Sequence, residues 1–352
     1  MVFTMTYRAV VYGASGYGGA ELLKLLAGHP EIEVAAVAAE SNAGATVGSL
    51  FPALGPVYGD MVYAPSTAAT AADADIAFLA LPHGASQRLV PELLETVDHI
   101  VDFGADFRLP PDVYEHWYGE AHEAPELLDQ FAYGMVELFR SDIVSRRHVA
   151  VPGCYPTAAS LALAPVLAAG LVDPARVVVN ALSGVSGAGR ALKLTSHFSE
   201  VNESALAYGL LTHRHTAEVH QALDHVSPAD AAPVQALFTP HLVPMTRGIV
   251  ATCTAPAVAS ALTTADLLDR YREFYAGEAF VRVTGEPSGT RATYGSNSVH
   301  ITVRYDERTD TVLAVGVLDN MVKGAAGQAL QNANLVLGLP EIMSLPTLGV
   351  AP

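Results

Sequence analysis

Three glycines follow a short apolar run near the start of the chain and limit what its first half can fold into. Residues 8–12 are mostly apolar and strand-like, and Gly13, Gly16 and Gly19 come directly after them. Residues 20–27 then place leucines at helical spacing. A strand, a tight glycine turn and a helix open a nucleotide-binding βαβ unit, since glycine lets backbone N–H groups approach a pyrophosphate. The pattern predicts a dinucleotide site, with an ordinary turn as the alternative.

The rest of the first half continues the pattern of a parallel sheet. Strand-like runs recur at residues 33–39, 76–81 and 100–103, and helical patterns separate them. Strands that alternate with helices favour a parallel sheet that is covered on both faces. We therefore expect an α/β domain of the Rossmann type.

After about residue 150 the pattern changes to several strands with few helices, which is typical of a mixed sheet of the α+β class. The tail, residues 319–337, is an alanine- and glycine-rich helical stretch. Its small residues allow close packing, and we expect one helix that returns to the first domain. The strand-like runs of this half are 177–182, 235–242, 248–255, 299–305 and 311–317, and helices are expected at 158–169 and 264–275.

Charge and cysteine content exclude several classes of protein. The formal net charge is −17, and so acidic a chain repels a phosphate backbone, so we expect no nucleic-acid partner. Two cysteines, Cys154 and Cys253, are too few for a disulfide framework, which favours a reducing, cytoplasmic setting. Residues 148–172 contain no Asp, Glu, Lys or Arg, but prolines and glycines interrupt them, so we expect no membrane span. Residues 1–7 lack the features of a signal peptide.

Selectivity between the two nicotinamide cofactors should lie at the end of the second strand, where Glu40, Ser41 and Asn42 follow one another. An acidic residue there commonly bonds the ribose 2′-hydroxyl and disfavours a 2′-phosphate. The serine and the asparagine could instead hold that phosphate. The residues alone leave both cofactors open.

Cys154 follows an apolar strand and a Pro-Gly pair, and a helix begins at this point. Pro156 suits the first turn of that helix, where its missing N–H does no harm. Free N–H groups and the helix dipole favour a thiolate there, so we predict that Cys154 is a nucleophile, with an inert buried cysteine as the alternative. Cys253 lies inside a strand-like run, and we expect it in the core.

A nucleophilic thiol needs a base or a cationic partner, and a histidine-rich run supplies candidates. His213, His215 and Glu218 lie close together, just before a predicted helix. Imidazole can take the thiol proton and later return one to a carbonyl oxygen. Metal binding with His220 as a further ligand is one alternative, and a purely structural role is another. Because familiar ligand spacing is missing, we expect no metal.

A thiol combined with a nicotinamide site defines a reaction. The thiolate attacks an activated acyl carbon to form a thioester, and hydride transfer yields a thiohemiacetal that collapses to an aldehyde. A phosphate leaving group suits the glycine-rich residues 183–189, which offer backbone donors, and Arg190 and Lys193, which offer charge. A flexible turn is the alternative for that run. Arg108 is a further candidate ligand for a carboxylate or phosphate.

Taken together, these motifs resemble the N-acetyl-γ-glutamyl-phosphate reductase family along nearly the whole chain. A related family reduces an aminoadipyl phosphate carried on a small protein, and it has a GCNATA-like run where this chain has GCYPTA at residues 153–158. That difference favours the former family. The motifs are GASGYGG at residues 13–19, LALPHG at 79–84, GADFRL at 104–109, PGCYPTA at 152–158, SGVSGAG at 183–189, HRHTAE at 213–218, RGI at 247–249 and DNMVKGAAGQALQN at 319–332.

The resemblance implies a fold, a cofactor and roles for residues. It implies a Rossmann domain of residues 1–152 and 318–352 and an α+β catalytic domain, like that of glyceraldehyde-3-phosphate dehydrogenase, of residues 153–317. It implies that a homo-oligomer, a dimer or tetramer, reduces a small acyl phosphate with NADPH. Cys154 would be the nucleophile and His213 its acid–base partner, with His215 the less favoured choice. The implied cofactor-binding residues are Gly13, Ser15, Gly16, Tyr17, Gly18, Gly19, Ser41, Asn42, Pro82, His83, Ser183, Gly184, Ser186, Gly187, Asn320 and Lys323. The implied substrate-binding residues are Arg108, Tyr155, Arg190, His215 and Glu218.

Two other classes of protein remain as alternatives. A cysteine hydrolase or acyltransferase would also use the thiol, but it gives no reason for the glycine turn, and the chain has no GxSxG nucleophile elbow. A cofactor-sensing Rossmann protein would bind nucleotide without turnover. That class predicts an unreactive Cys154.

Overall fold

The chain folds into two compact units. The computed structural model describes residues 6–259 and 261–350, so most of the segment judged for a signal peptide lies outside the described residues. The first unit comprises the described residues up to Pro152 together with Ala325–Leu345, and the second comprises Gly153–Gly324 and the described residues from Pro346 onward. The first unit is therefore built from two separate stretches of chain.

Strands and helices alternate in the first unit, whereas strands predominate in the second. The strands are β1 Tyr7–Tyr12, β2 Ile32–Ala38, β3 Ile76–Leu79, β4 His99–Asp102, β5 Phe131–Tyr133, β6 His148–Ala150, β7 Val177–Ser183, β8 Leu206–Ala207, β9 Ala236–Leu242, β10 Ile249–Pro256, β11 Val281–Val283, β12 Val299–Asp306 and β13 Thr311–Leu318. The α-helices are α1 Tyr17–Leu26, α2 Val47–Leu50, α3 Gly55–Tyr58, α4 Ala85–Leu93, α5 Pro111–Tyr118, α6 Val136–Ser145, α7 Cys154–Ala168, α8 Phe198–Val201, α9 His215–Val226, α10 Thr264–Phe274 and α11 Gly327–Val336.

The first unit contains a six-stranded parallel sheet, as predicted. Its strand order is β2-β1-β3-β4-β6-β5, so the chain reverses its direction of winding between β1 and β3. Val10, Ile76 and Ile100 are completely buried in it, because these apolar runs are covered on both faces. In open α/β sheets, ligands bind at such a reversal, outside the carboxyl ends of the strands. The glycine turn after β1 lies at that point.

The returning helix α11 packs against α6 and α1 within the first unit. The Asn332 amide donates to the Gly134 carbonyl (2.8 Å), and Arg140 forms an ion pair with Glu341 (2.6 Å). The buried His29 ring lies 3.0 Å from the Asn334 amide oxygen. Residues far apart in the chain thus complete this unit.

The second unit is built on a mixed seven-stranded sheet, in the order β11-β12-β13-β10-β7-β9-β8. Its central strands pair antiparallel, and β7 and β9 pair parallel. Helix α7 packs against β10 and β13 and is buried along nearly its whole length. Cys253 of β10 is completely buried, as expected, and burial raises the pKa of its thiol to about 12. The predicted combination of a Rossmann domain with an α+β domain is confirmed.

The prediction of one continuous helix over the tail was wrong. After β13 the chain forms a π-helical turn, Val322–Ala326, and only then α11. The Asp319 carboxylate accepts the Met321 N–H (2.8 Å) and so caps this turn. Wide π-helical turns break the regular α-helix pattern and are frequent at functional sites. No helix in the part of the chain that the structure describes combines the length and hydropathy of a membrane span.

Candidate active site

The glycine turn after β1 brings backbone close to backbone. Gly13 has a φ of +68°, and a Cβ there would overlap the Ala80 carbonyl oxygen beyond the end of β3. A Cβ on Gly19 would lie 2.6 Å from the Ala14 Cα. Gly16 caps α1 without a side chain, so the first N–H groups of the helix remain for a ligand. This arrangement fits a pyrophosphate.

Three of the predicted cofactor residues come together beside this turn. The Asn42 amide donates to the hydroxyl oxygens of Ser15 (3.0 Å) and Ser41 (3.1 Å). The exposed Glu40 carboxylate instead accepts the Ser66 N–H (3.4 Å). The end of β2 therefore presents hydroxyl and amide groups, while the neighbouring carboxylate contacts another loop.

The residues after β3 are held by a carboxylate that sequence reasoning missed. Asp106 is completely buried and accepts the N–H groups of Gly84 (2.9 Å) and Ser86 (3.1 Å) at the start of α4. His83 Nδ1 lies 3.0 Å from Asp106, and its Nε2 lies 2.7 Å from Glu120. Both His83 nitrogens thus face carboxylates. Pro82, the other residue of this segment that was predicted to bind the cofactor, is exposed. No local spacing could reveal Asp106, because the helix that it caps begins some twenty positions earlier.

Asp102, at the end of β4, is a second buried carboxyl group that the sequence did not single out. Its Oδ1 accepts the Gly104 N–H (2.7 Å) and the Ser86 hydroxyl (3.0 Å). Burial and the nearby charge of Asp106 raise the pKa of Asp102 to about 7. Arg108 follows on the same loop, where its guanidinium donates to the Phe103 carbonyl (2.6 Å).

In the second unit Cys154 is the first residue of α7, as predicted. The preceding Gly153 caps the helix, and its N–H donates to the buried Glu218 carboxylate (2.9 Å). A Cβ on Gly153 would overlap the His215 Nε2, so the imidazole packs directly against the backbone before the thiol. His215 and Glu218 therefore fix the turn that presents Cys154.

His213 and His215 lie with their ring centroids 4.9 Å apart at the start of α9. The His215 N–H donates to His213 Nδ1 (3.2 Å), so a neutral His213 carries its proton on Nε2. Burial and then the neighbouring His215 lower the pKa of His213 to about 3. The ring is therefore neutral near neutral pH and presents an N–H donor.

Two tyrosines pack beside the histidines. Tyr155 is 2% exposed, and its ring centroid lies 5.7 Å from that of His213. Its hydroxyl donates to the His241 carbonyl (3.3 Å) and accepts from Tyr208 (3.2 Å). Burial, and then Tyr208, raise the pKa of Tyr155. Tyr155 was predicted to bind substrate, and that role stays a prediction; in the structure its ring packs beside those of His213 and His215. Tyr208 was missed, although it lies near His213 in the sequence.

The predicted anion-binding turn after β7 is held by Asn320. Asn320 Oδ1 accepts the Gly248 N–H (2.7 Å), and its Nδ2 donates to the Ser186 hydroxyl (2.9 Å). A Cβ on Gly184 would lie 2.7 Å from the Arg247 nitrogen, so this turn also needs a glycine. Ser183 and Gly187 lie in the same turn, and a Cβ on Gly187 would be 3.6 Å from the Asn320 amide.

Lys323 and Arg190 are further predicted site residues of the second unit. Lys323 is completely buried, with its Nζ 5.8 Å from the centroid of the Phe280 ring. Its contact with a cofactor stays a prediction. Arg190 lies on the exposed segment that follows the turn, and Arg108 belongs to the first unit.

Gly324, in the π-helical turn, packs against Cys154, the predicted nucleophile, and was also missed. A Cβ on Gly324 would lie 2.7 Å from the Cys154 Cβ and 3.2 Å from its Cα. The turn therefore packs its backbone against Cys154. Among the residues that the structure describes, no three His, Cys, Asp or Glu side chains come together as metal ligands.

Family models match both units. The NAD binding domain of semialdehyde dehydrogenases matches residues 8–146, and the dimerisation domain of semialdehyde dehydrogenases matches residues 154–320. Among solved structures, aspartate semialdehyde dehydrogenase II complexed with ASA from Vibrio cholerae has a TM-score of 0.71 at 17% identity, covering 95% of this chain and 99% of that one. Aspartate semialdehyde dehydrogenase with NADP from Candida albicans has a TM-score of 0.70 at 18% identity, covering 94% and 98%.

Several curated relatives are similar over almost their full length, and all three described next are named N-acetyl-gamma-glutamyl-phosphate reductase. The protein of Symbiobacterium thermophilum is 47% identical over 98% of this chain and 99% of its own. That of Saccharopolyspora erythraea is 47% identical over 99% and 100%. That of Thermus thermophilus is 46% identical over 97% and 99%.

Proposed function

The chain belongs to the N-acetyl-γ-glutamyl-phosphate reductase family of semialdehyde dehydrogenases, and from this premise we propose that it works through a Cys154 thioester. Its reaction reduces N-acetyl-γ-glutamyl phosphate to N-acetylglutamate 5-semialdehyde and releases phosphate. The observation that carries the mechanism is the position of Cys154 at the start of α7, with His215 and Glu218 against the residue before it.

Cys154 supplies the nucleophile. The dipole at the start of α7 favours its thiolate. The thiolate attacks the acyl carbon, the bond to the phosphate oxygen breaks, and the phosphate leaves with the bonding electrons. Glu218 accepts the Gly153 N–H and so holds the turn in place through these changes. The acyl group then remains on sulfur as a thioester.

His213 stabilises the oxygen on which negative charge develops. Because its Nδ1 accepts the His215 N–H, its Nε2–H is available for the carbonyl oxygen. The same oxygen becomes negative again when the thioester is reduced. Its carbon–oxygen double bond then reforms, the carbon–sulfur bond breaks, and the Cys154 thiolate leaves. Tyr155 and Tyr208 fix the ring of His213 by packing against it.

The nicotinamide cofactor, when bound, supplies the hydride for this reduction. The glycine turn after β1 fits its pyrophosphate, since backbone there leaves no room for a Cβ on Gly13. Ser15, Ser41 and Asn42 would hold a 2′-phosphate, and the Glu40 carboxylate contacts the Ser66 N–H. These residues support NADPH over NADH. A kcat/KM for NADPH no larger than that for NADH would contradict this choice.

Domain extents and assembly complete the proposal. We expected an NADP-binding domain of residues 1–152 and 318–352 and a catalytic domain of residues 153–317. The discontinuous first unit supports this arrangement, but residues 318–324 and the described residues from Pro346 onward lie in the second unit, so we propose that the NADP-binding domain takes only residues 325–345 from the later part of the chain. The match of residues 154–320 to a dimerisation domain supports a homo-oligomer, and we propose a tetramer. Neither cysteine forms a disulfide, which supports a reducing, cytoplasmic setting.

Replacement of each cysteine tests the thioester mechanism. The assay is phosphate-dependent reduction of NADP by N-acetylglutamate 5-semialdehyde. We expect Cys154→Ala to lower kcat by about a thousandfold or more with unchanged far-UV circular dichroism, because no other nucleophile replaces the thiolate. Cys253→Ala is the matched control and should stay active, since that thiol is buried in β10. Full activity of Cys154→Ala would rule out the thioester, and turnover only with carrier-bound aminoadipyl phosphate would select the related family.

A further inference from the structure

A buried ion pair in the second unit connects the segment after β9 to the start of the π-helical turn. The Arg247 Nε lies 3.2 Å from the Asp319 Oδ1, and the Asp319 side chain is completely buried while that of Arg247 is 13% exposed. The Arg247 guanidinium carbon also lies 5.3 Å from the centroid of the Tyr294 ring. Neither member of the pair was predicted to contact substrate or cofactor, so the pair needs another explanation.

The Asp319 carboxylate holds the backbone around it. Its Oδ1 also accepts the N–H groups of Met321 (2.8 Å) and Val322 (3.3 Å), and its Oδ2 accepts that of Gly295 (2.7 Å). A carboxylate that is taken out of water is costly unless opposite charge and hydrogen bonds compensate it. Arg247 supplies such a charge, and the ion pair therefore fixes where the π-helical turn begins.

The π-helical turn carries this position to Cys154. The Gly324 N–H donates to the Asp319 carbonyl (2.9 Å). A Cβ on Gly324 would lie 3.4 Å from that carbonyl oxygen and 2.7 Å from the Cys154 Cβ, so both residues border Gly324. A shift of Asp319 is therefore passed on to the residue that bears the thiol.

The backbone on the other side of the ion pair is fixed independently of the Arg247 side chain. The N–H groups of residues 184–186 donate to carbonyls within residues 245–248 at 2.9 to 3.1 Å. The Gly248 N–H donates to the Asn320 Oδ1 (2.7 Å). Loss of the guanidinium would therefore leave this backbone in place and would free mainly the carboxylate that it pairs with.

We propose that Arg247 is a positioning residue for Cys154, which acts through Asp319 and the π-helical turn and touches no reacting atom. The proposal rests on the thioester mechanism above and adds to it the residue that keeps the thiol in place for attack. With the ion pair intact, Asp319 stays buried and Gly324 stays packed against Cys154. With the guanidinium removed, the uncompensated carboxylate moves towards water and takes the start of the turn with it. Turnover should then fall, while the affinities for substrate and cofactor stay unchanged.

Removal of the guanidinium tests the proposal. In the phosphate-dependent assay we expect Arg247→Gln to lower kcat by about tenfold or more, with the KM values for phosphate and NADP unchanged, because a displaced reacting group costs rate. Arg247→Lys keeps the positive charge and should recover most of that loss. Arg272→Gln is the matched control, since it breaks an exposed ion pair with Asp269 (2.7 Å) elsewhere in the second unit and should keep wild-type kcat.

A variant with neither charge covers the case in which Arg247→Gln does not fold. Arg247→Gln combined with Asp319→Asn leaves no member of the pair as a buried charge without its partner. We expect this variant to share the lower kcat, with far-UV circular dichroism like that of the wild type.

Combination with Gly324→Ala separates positioning from a loss of stability. If Arg247 acts through the π-helical turn, the two substitutions disturb one contact. Together they should change kcat and the iodoacetamide labelling rate of Cys154 by much less than the product of the single effects. Effects that multiply would overturn the proposal, and so would wild-type kcat and labelling in Arg247→Gln. Full activity of Cys154→Ala would contradict the proposed function instead, and the labelling rate of Cys154 would still show whether Arg247 positions it.

Discussion

At the scale of single residues, the side chains packed around Gly153 fix the turn that presents Cys154. His215 occupies the position that a side chain would take, and Glu218 accepts the only donor that the residue offers. Neither group needs to touch a reacting atom to matter, because both fix the backbone from which Cys154 projects. His213, by contrast, presents a proton donor. The two histidines therefore have different proposed roles, His215 in positioning the backbone and His213 in donating a hydrogen bond.

Replacement of each histidine by asparagine separates these roles. We expect His213→Asn to lower kcat by about a hundredfold or more and His215→Asn to have a much smaller effect. Because burial lowers the pKa of His213 to about 3, its protonation should add no acid limb to the kcat/KM profile between about pH 5 and 8. The measurement is kcat and kcat/KM against pH for both variants. A larger loss in His215→Asn would reverse the assignment.

The buried carboxyl group of Asp102 makes folding stability depend on pH. Its pKa is about 7 when folded, above the ordinary value. Below about pH 4 both folded and unfolded chains hold this proton. Between about pH 4 and 7 only the folded chain holds it, so its contribution to stability falls by up to ~1.4 kcal/mol per pH unit as pH rises.

Asp102→Asn removes this titration, so the variant should become more stable relative to wild type as pH rises to about 7. Chemical unfolding at several pH values measures the difference, because the other titrating groups are common to both proteins. Glu33→Gln, on an exposed carboxylate of β2, is the control and should leave the wild-type slope intact. Parallel slopes for wild type and Asp102→Asn would contradict the assigned pKa.

Residues with a distinctive local setting could be predicted, and residues that act across long sequence separations could not. Cys154 was placed because a strand, Pro-Gly and Pro156 define a helix start locally. Asp106 was missed because it caps a helix that precedes it by about twenty positions, and Gly324 because its neighbour Cys154 is far away in the chain. Such contacts arise only when the sheets are assembled.

At the scale of elements, the π-helical turn and α7 form one packed assembly. A Cβ on Gly316 of β13 would overlap the Ala158 carbonyl of α7, and Gly324 lies against Cys154 itself. The helix is therefore fixed at its first turn and again one turn later. In the same region the chain departs from a regular α-helix after Asp319, where the alanine- and glycine-rich sequence predicted a continuous one.

A methyl group on Gly324 should disturb the thiol without unfolding the protein. The added Cβ of Gly324→Ala would lie 2.7 Å from that of Cys154, so one of the two elements must shift. Displacement of a reacting group by about 1 Å can cost about a hundredfold in rate. We expect kcat to fall by roughly that factor with little change in KM.

The matched control is Gly289→Ala, since a Cβ at Gly289 meets nothing within 4 Å. It should keep wild-type kcat. Iodoacetamide labelling of Cys154 gives a second readout, because a displaced thiol should react at a different rate in Gly324→Ala alone. Wild-type kcat and labelling in Gly324→Ala would show that the contact is not needed for positioning.

Helices and strands could be predicted where the apolar pattern in the sequence is long. Their exact boundaries, and the short elements, could not be predicted. The strand predicted at residues 311–317 is β13, Thr311–Leu318. Strands of three residues, such as β5 and β11, are too short to show a period of two and were not predicted. Their pairing partners lie elsewhere in the sequence, so tertiary contacts define them.

At the scale of the whole molecule, the first unit depends on residues 325–345, which are far from its other residues in the sequence. Helix α11 supplies buried polar contacts that no other element replaces: Asn332 donates to the Gly134 carbonyl, and Asn334 lies against His29. Both asparagines are completely buried, so their partners would lose hydrogen bonds in its absence. The segment that follows α11 adds an ion pair between Glu341 and Arg140 of α6.

A fragment that ends at residue 152 should therefore fail to form a cooperatively folded Rossmann domain. A second fragment that joins residues 1–152 to residues 325–345 through a flexible linker restores α11 and should fold with one sharp unfolding transition. Circular dichroism during thermal unfolding distinguishes the two, and binding of NADPH by the linked fragment alone gives a functional readout. Replacing Asn332 by Leu in the linked fragment should weaken its fold, because the Gly134 carbonyl would lose its donor. A sharp transition in the shorter fragment would mean that residues 325–345 belong to the first unit by contact but are not needed for its folding.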